Sequence, residues 1–124
     1  MKRLLFILPL MLLLASCYDQ ERNCADFKIG KFKSEYTAGG KTYTSTFNRT
    51  KSLEIANVNG KIDTTAIRWI NDCEYIGTKV NPKSMQDKKA VNIKILTTHD
   101  NSYTFEFSIV GDTQKQKGTV TKID

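Results

Sequence analysis

Three cysteines, one histidine and a few carboxylates are the side chains of this 124-residue chain whose types could do covalent, acid–base or metal chemistry. Cys17 and Cys24 stand close together near the N-terminus, and Cys73 stands far downstream. A Ser–His–Asp or Cys–His apparatus would have to use His99, the single histidine. That residue sits in Thr98-His99-Asp100-Asn101-Ser102, a turn composition, and reads as exposed. Cys73 as a nucleophile would need a basic partner to lower its pKa, and Cys24 is the better candidate neighbour. Asp72 and Glu74 resemble an acid pair but read as solvent-facing residues of adjacent strands. Gly39-Gly40 opens no helix, so it forms no phosphate loop. One histidine and no Cys-x-x-Cys offer no metal site. The chain therefore reads as non-enzymatic, with no cofactor and no metal.

The elements that place these residues begin with a leader. Met1-Lys2-Arg3 is positive, and the run LLFILPLMLLLAS from Leu4 to Ser16 is uncharged. This is the pattern of a secretory signal, helical over its apolar run. The alternative, a membrane-spanning helix, needs about 20 apolar residues; this run is shorter, contains Pro9 and meets polar Tyr18-Asp19-Gln20-Glu21-Arg22. Leu14-Ala15-Ser16-Cys17 resembles the bacterial lipobox, a leucine and two small residues before an invariant cysteine. It predicts a signal peptide over 1–16, cleaved before a lipidated Cys17, with palmitate among its acyl chains. Two or more chains give stable attachment where one does not. Residues 17–23 then form a polar tether and 24–124 a single domain. Asp19 and Glu21 after the lipid point to the outer membrane, on its periplasmic or cell-surface face.

Without Lys2 and Arg3 the formal charge falls from +6 to +4. The denser patch at Lys79, Lys83, Lys88 and Lys89 lacks interleaved aromatics, so no nucleic-acid partner is expected. Partners are instead the membrane, through the lipid, and an envelope protein or polymer of unspecified identity. Outside the cytoplasm an even pair of cysteines is usually a disulfide, which predicts Cys24 bonded to Cys73. The alternative is two buried free thiols.

From Cys24 onward the chain alternates. Tyr103, Phe105, Phe107 and Ile109 interleave with Thr104, Glu106 and Ser108, and Val91, Ile93 and Ile95 form the strand before them. Phe27 and Ile29 begin an earlier strand, with a bulge at Gly30 returning Phe32 to the inside. Gly39-Gly40 turns into a strand over Lys41–Arg49 carrying Tyr43, Ser45 and Phe47 on one face. A short strand with Leu53 and Ile55 precedes a turn at Asn57-Val58-Asn59-Gly60. A three-residue loop Ile70-Asn71-Asp72 would pair Trp69 with Cys73 and Ile67 with Tyr75, all four inside. Thr78 to Lys89 reads as a loop, with room for one helical turn, and Gln114 to Ile123 supplies a last strand with Val120. These runs predict an all-β domain of about eight short strands. An antiparallel meander closing into a small lipocalin-like barrel removes its edges; a two-sheet sandwich is the alternative.

Cys24-Ala25-Asp26-Phe27-Lys28-Ile29-Gly30-Lys31-Phe32, Trp69-Ile70-Asn71-Asp72-Cys73-Glu74-Tyr75 and Gly118-Thr119-Val120 resemble a family of small Gram-negative lipoproteins. Its pattern is C-x-D-F-K-x-G-x-F followed by W-x-x-D-C-x-Y. The resemblance implies an exported β-rich lipoprotein and brings no agreed activity. Some similar sequences carry a DNA topoisomerase IV label. That chemistry needs a large dimeric scaffold with a tyrosine nucleophile, which a domain of this size does not supply.

Asn48-Arg49-Thr50 is an N-glycosylation sequon with little meaning in most bacteria. Asp63-Thr64-Thr65 resembles an O-glycosylation motif, making Thr64 a candidate modification site. Tyr43, Trp69, Phe105 and Phe107 could line a ligand cavity or fill the core. The expectation is a packed scaffold, a binding or structural module of the cell envelope. The alternative is a small carrier of apolar ligands.

Overall fold

A computed structural model describes residues 22–124; the leader, Cys17 and most of the tether lie outside the described residues. The first element is a 3-10 turn at Cys24–Phe27. Eight strands follow: β1 Gly30–Ala38, β2 Lys41–Arg49, β3 Leu53–Val58, β4 Lys61–Asn71, β5 Glu74–Lys79, β6 Val91–His99, β7 Ser102–Ile109 and β8 Gln116–Lys122. Each pairs antiparallel with the next, and β8 returns to β1 to close an eight-stranded barrel. Closure leaves no unpaired edge. This is the all-β meander that the alternation predicts, and the sandwich is excluded.

Alternation decides which side chains go inward. Along β1, Phe32, Ser34 and Tyr36 are covered while Lys31, Lys33 and Glu35 are exposed. Ser34 and Ser45 meet across the β1–β2 pair at 2.8 Å, and Phe32 stacks on Phe47 with ring centroids 5.2 Å apart. The inner cluster comprises Cys24, Phe27, Phe32, Phe47, Ile95, Tyr103, Phe105 and Val120. Gly118 lets β8 run close to this cluster: an added Cβ would lie 2.6 Å from Phe105 Cζ and 2.7 Å from the Glu35 carbonyl oxygen. The Phe105 ring thus occupies the space where a side chain at position 118 would stand.

Two expected details are corrected. Phe27 and Ile29 do not share a strand. Phe27 lies in the 3-10 turn and is buried, whereas Ile29 is 59% exposed. Gly30, at φ +143, turns the chain from that segment into β1, a conformation that glycine adopts readily. The β4–β5 hairpin also has a different register. Trp69 faces Tyr75 and Ile67 faces Gly77, and the register shifts between Trp69 and Asn71. Ile70 is the extra residue, so a bulge and a tight turn replace the three-residue loop. The Asn71 side chain holds that turn by accepting from the Cys73 N–H at 2.9 Å. The segment from Val80 to Ala90 is a loop with turns and no helix.

The barrel has two unlike ends. At one, the 3-10 turn folds over the opening and buries Phe27 against Tyr103, ring centroids 5.1 Å apart. Lys122 Nζ donates to the Asp26 carbonyl at 2.8 Å. Cys24 is disulfide-bonded to Cys73 in the β4–β5 turn, with Cα atoms 5.3 Å apart. The other end carries the β1–β2, β3–β4, β5–β6 and β7–β8 connections and, among the described residues, no such cover.

The disulfide joins residues separated by 49 positions. On the chain-entropy model a loop of that length is worth about 4 kcal/mol. Urea unfolding of Cys73→Ala, or of the protein with reductant, should show a loss of that order. A midpoint unmoved by reductant would show that packing alone holds the cover in place.

Candidate functional site

The strands bring together one cluster that sequence reasoning missed. Arg49 ends β2 on the same face as Ser45 and Phe47, so it points into the barrel and is 1% exposed. Its partner across the β2–β3 pair is Glu54. Arg49 Nε donates to Glu54 Oε2 at 3.3 Å. Nη1 donates to the Phe27 carbonyl at 2.6 Å, and Nη2 donates to the hydroxyls of Tyr75 at 2.9 Å and Tyr103 at 2.8 Å. The Tyr75 hydroxyl donates in turn to Glu54 Oε2 at 3.1 Å. The guanidinium also lies within 6 Å of five rings: Phe32, Phe47, Trp69, Tyr75 and Tyr103. Aromatic faces attract a cation at such distances.

Burial by itself disfavours a charge, and so works to lower the Arg49 pKa. The neighbouring Tyr75, Tyr103 and Glu54 more than offset it, and the pKa lies above its ordinary value. The guanidinium stays charged. Burial, reinforced by the Glu54 charge, pushes the Tyr75 hydroxyl well above its usual 10.0, against the pull of Arg49. Burial raises Tyr103 likewise, again opposed by Arg49. Both phenols are therefore held as donors or acceptors in neutral form.

Above this cluster, toward the uncovered end, lies a cup of about 210 Å³. Its polar lining is Glu54, Tyr75, Tyr103 and the Ser34–Ser45 pair, and its apolar lining includes Phe47, Ala56, Ile93, Phe105, Phe107 and Val120. Tyr36, near its mouth, packs edge-on against Phe107 with centroids 5.4 Å apart.

Of the aromatics expected to line a cavity or core, Phe105 and Phe107 do line the cup. Trp69 does not. It lies below, tilted on Tyr75 at 4.7 Å, with Lys28 Nζ 5.1 Å from its ring. Among the described residues, Trp69 Nε1 is the side-chain nitrogen or oxygen buried without a partner. Tyr43 is 46% exposed and stacks on Tyr36 at 5.1 Å. It stands near the β1–β2 turn, where the barrel wall ends and no opposite strand covers it.

The remaining candidates are dispersed. Cys24 and Cys73 form the disulfide, so neither is a nucleophile. His99 is exposed beside Asp100 in the β6–β7 turn. Asp72 pairs with Lys28, and Glu74 accepts from Asn71 and Asn92, so they do not act as an acid pair. Thr64 is half-buried on β4, next to Asp63, which pairs with Lys79 at 3.2 Å. Lys79 also pairs with Asp87, which removes it from any free basic patch. Among the described residues no group of three or more His, Cys, Asp or Glu is placed to hold a metal.

Comparison with protein-family models, curated proteins and solved structures finds no match to this chain.

The signal that could have revealed Arg49 was parity. Tyr43, Ser45, Phe47 and Arg49 share a face, and a charge on an inward face demands a partner. Removing Arg49 leaves the Phe27 carbonyl and two buried phenols without their donor, at about 1–3 kcal/mol for each group left unpaired, and leaves the half-buried Glu54 without its counter-charge. Arg49→Met should therefore cost at least about 2 kcal/mol in urea unfolding. Arg49→Met with Glu54→Leu should regain the part of that loss due to the unpaired carboxylate. A double variant as unstable as the single one would place the whole loss outside the ion pair.

The raised phenol pKa values set an alkaline limit. Below pH 10 both phenols are protonated in folded and unfolded chains, and their contribution to stability is fully present. Above it the unfolded chain releases protons that the barrel retains, so stability falls as pH rises through the folded values. Tyrosinate absorbance should show two of the five tyrosines ionising only as the circular-dichroism signal is lost. Five ionisations from an intact barrel would contradict the buried positions of Tyr75 and Tyr103.

Proposed function

We propose that this protein is a non-enzymatic module of the bacterial cell envelope, anchored in the outer membrane through acyl chains on Cys17. It presents the uncovered end of its barrel to an envelope protein or polymer. The observation that carries this reading is the polarity of the barrel. The described chain enters at the covered end, where Arg22 Nη1 donates to the Ile95 carbonyl at 3.1 Å and the Asn23 N–H to Thr98 Oγ1 at 2.8 Å. Cys17 precedes Arg22 by five residues, a reach of at most about 18 Å. A lipid there would turn the covered end to the membrane and the uncovered end away from it.

The uncovered end supports an anionic partner. Lys41, Lys61, Lys83, Lys88 and Lys89 are exposed on its connections, and such a cluster speeds encounter with opposite charge. The non-enzymatic reading is supported by the use of the buried charges: Arg49 and Glu54 neutralise one another inside the wall. A second reading, a small-ligand carrier, is favoured by the 210 Å³ cup. That volume is below the roughly 300 Å³ at which ligand pockets usually begin, so such a ligand is compact.

Metabolic labelling with a palmitate analogue tests the anchor. The native chain should take up label and fractionate with membranes, and Cys17→Ala should lose the label. Equal labelling of both would refute attachment at Cys17.

A further inference from the structure

We propose that the cup binds a compact, mostly apolar molecule that carries one neutral or cationic hydrogen-bond donor, seated with that donor on Glu54 Oε1. The proposal rests on the carrier reading and specifies its ligand.

Size comes first. An engineered apolar cavity of about 150 Å³ holds benzene, so a cup of about 210 Å³ holds one substituted ring. It does not hold the long chain of a membrane lipid. The wall is apolar and aromatic, with Phe47, Phe105 and Phe107 offering ring surfaces to an aryl body.

The polar lining supplies the selectivity. Glu54 Oε2 already accepts from Arg49 Nε and the Tyr75 hydroxyl. Oε1 receives no donor from the described residues, although Glu54 lines the cup and its side chain keeps 21% exposure. The Ser34 and Ser45 hydroxyls bond each other through one proton, so one O–H between them remains free to donate. A wholly apolar ligand would strip water from Oε1 and return nothing, whereas a hydroxyl or amine replaces that water. Because Arg49 already compensates the Glu54 charge, the donor need not be cationic. An anionic group on that oxygen would meet a like charge and is disfavoured there. A hydrogen bond to a charged acceptor corresponds to roughly tenfold to a hundredfold in affinity.

The test uses the full chain in lipid nanodiscs, labelled at isoleucine and valine methyls so that Ile93 and Val120 report from inside the cup. The probes are 4-methylphenol, toluene and 4-methylbenzoate. Saturable shifts of both methyls with 4-methylphenol are expected, with toluene at least about tenfold weaker and 4-methylbenzoate inert. Ala56→Leu, which narrows the cup from β3 and leaves Arg49 and Glu54 unchanged in type, should weaken the shifts while circular dichroism shows the barrel folded. If toluene binds as tightly as 4-methylphenol, donor recognition by Glu54 is overturned and the carrier reading stands. If no probe moves either methyl at millimolar concentration, both fall. Undiminished shifts in Ala56→Leu would place binding elsewhere and overturn the proposal.

Discussion

A guanidinium with no access to water is the constraint around which the inside of this barrel is arranged. The idealised cost of moving such an ion into a dry interior is of order 20 kcal/mol, more than a domain of this size has in net stability. Every neighbour of Arg49 reduces that cost. Glu54 supplies the counter-charge, the Phe27 carbonyl and two phenols take N–H donors, and five rings offer their negative faces. These groups come from the 3-10 turn and from β1, β2, β3, β4, β5 and β7. Satisfying one side chain therefore requires six strands and the cover to be in place together. The charge acts less as a source of stability than as a demand for a single arrangement.

The cover follows from the same demand. Phe27 can present its carbonyl to Arg49 because the 3-10 turn folds across the barrel opening. The disulfide from Cys24 holds that turn to the β4–β5 connection. Without it, the four residues of 3-10 turn would be held by the burial of Phe27, by the bonds of Arg49 and Lys122 to its carbonyls and by those of Arg22 and Asn23 to β6. Tyr75 ties the ends of the arrangement together. It sits just beyond the turn that carries Cys73, stacks on Trp69, and bonds both Arg49 and Glu54. Staple, turn and charge cluster thus form one connected unit at the covered end.

Much of this architecture is legible in the residues. Period-two alternation locates the strands, the turn residues separate them, and an even pair of cysteines joins them correctly. The features that escape such reading are the ones where a local pattern has more than one solution. The apolar spacing of Phe27 and Ile29 fits a strand, yet the covalent tie at Cys24 and the carbonyl requirement of Arg49 draw Phe27 into a 3-10 turn. The WINDCEY segment fixes which face Trp69 and Tyr75 share. It does not say whether the extra residue is taken up in the loop or as a bulge at Ile70. Arg49 and Glu54 are invisible to hydrophobic patterning because each scores as polar. Parity puts Arg49 on the inward face, and the pairing of β2 with β3 places Glu54 opposite it as its partner. Tyr43 shows the converse: parity assigns it inward, but it stands where the wall has run out.

Space inside the barrel is set by this division of labour. A small closed barrel can fill its interior with side chains or hold a single small ligand, and here the two uses are stacked along one axis. The lower half is occupied by the protein's own cation, enclosed by rings as a bound ligand would be. That occupancy leaves the upper half short. Glu54 and the two phenols are among its polar lining, and its side is apolar up to Tyr36 apart from the Ser34–Ser45 pair. The residues that stabilise the fold thereby also fix the depth of the cup and make part of its lining polar. A carboxylate among the apolar sides of the cup is a consequence of burying Arg49, since the residue that neutralises the guanidinium stands between it and the open space above.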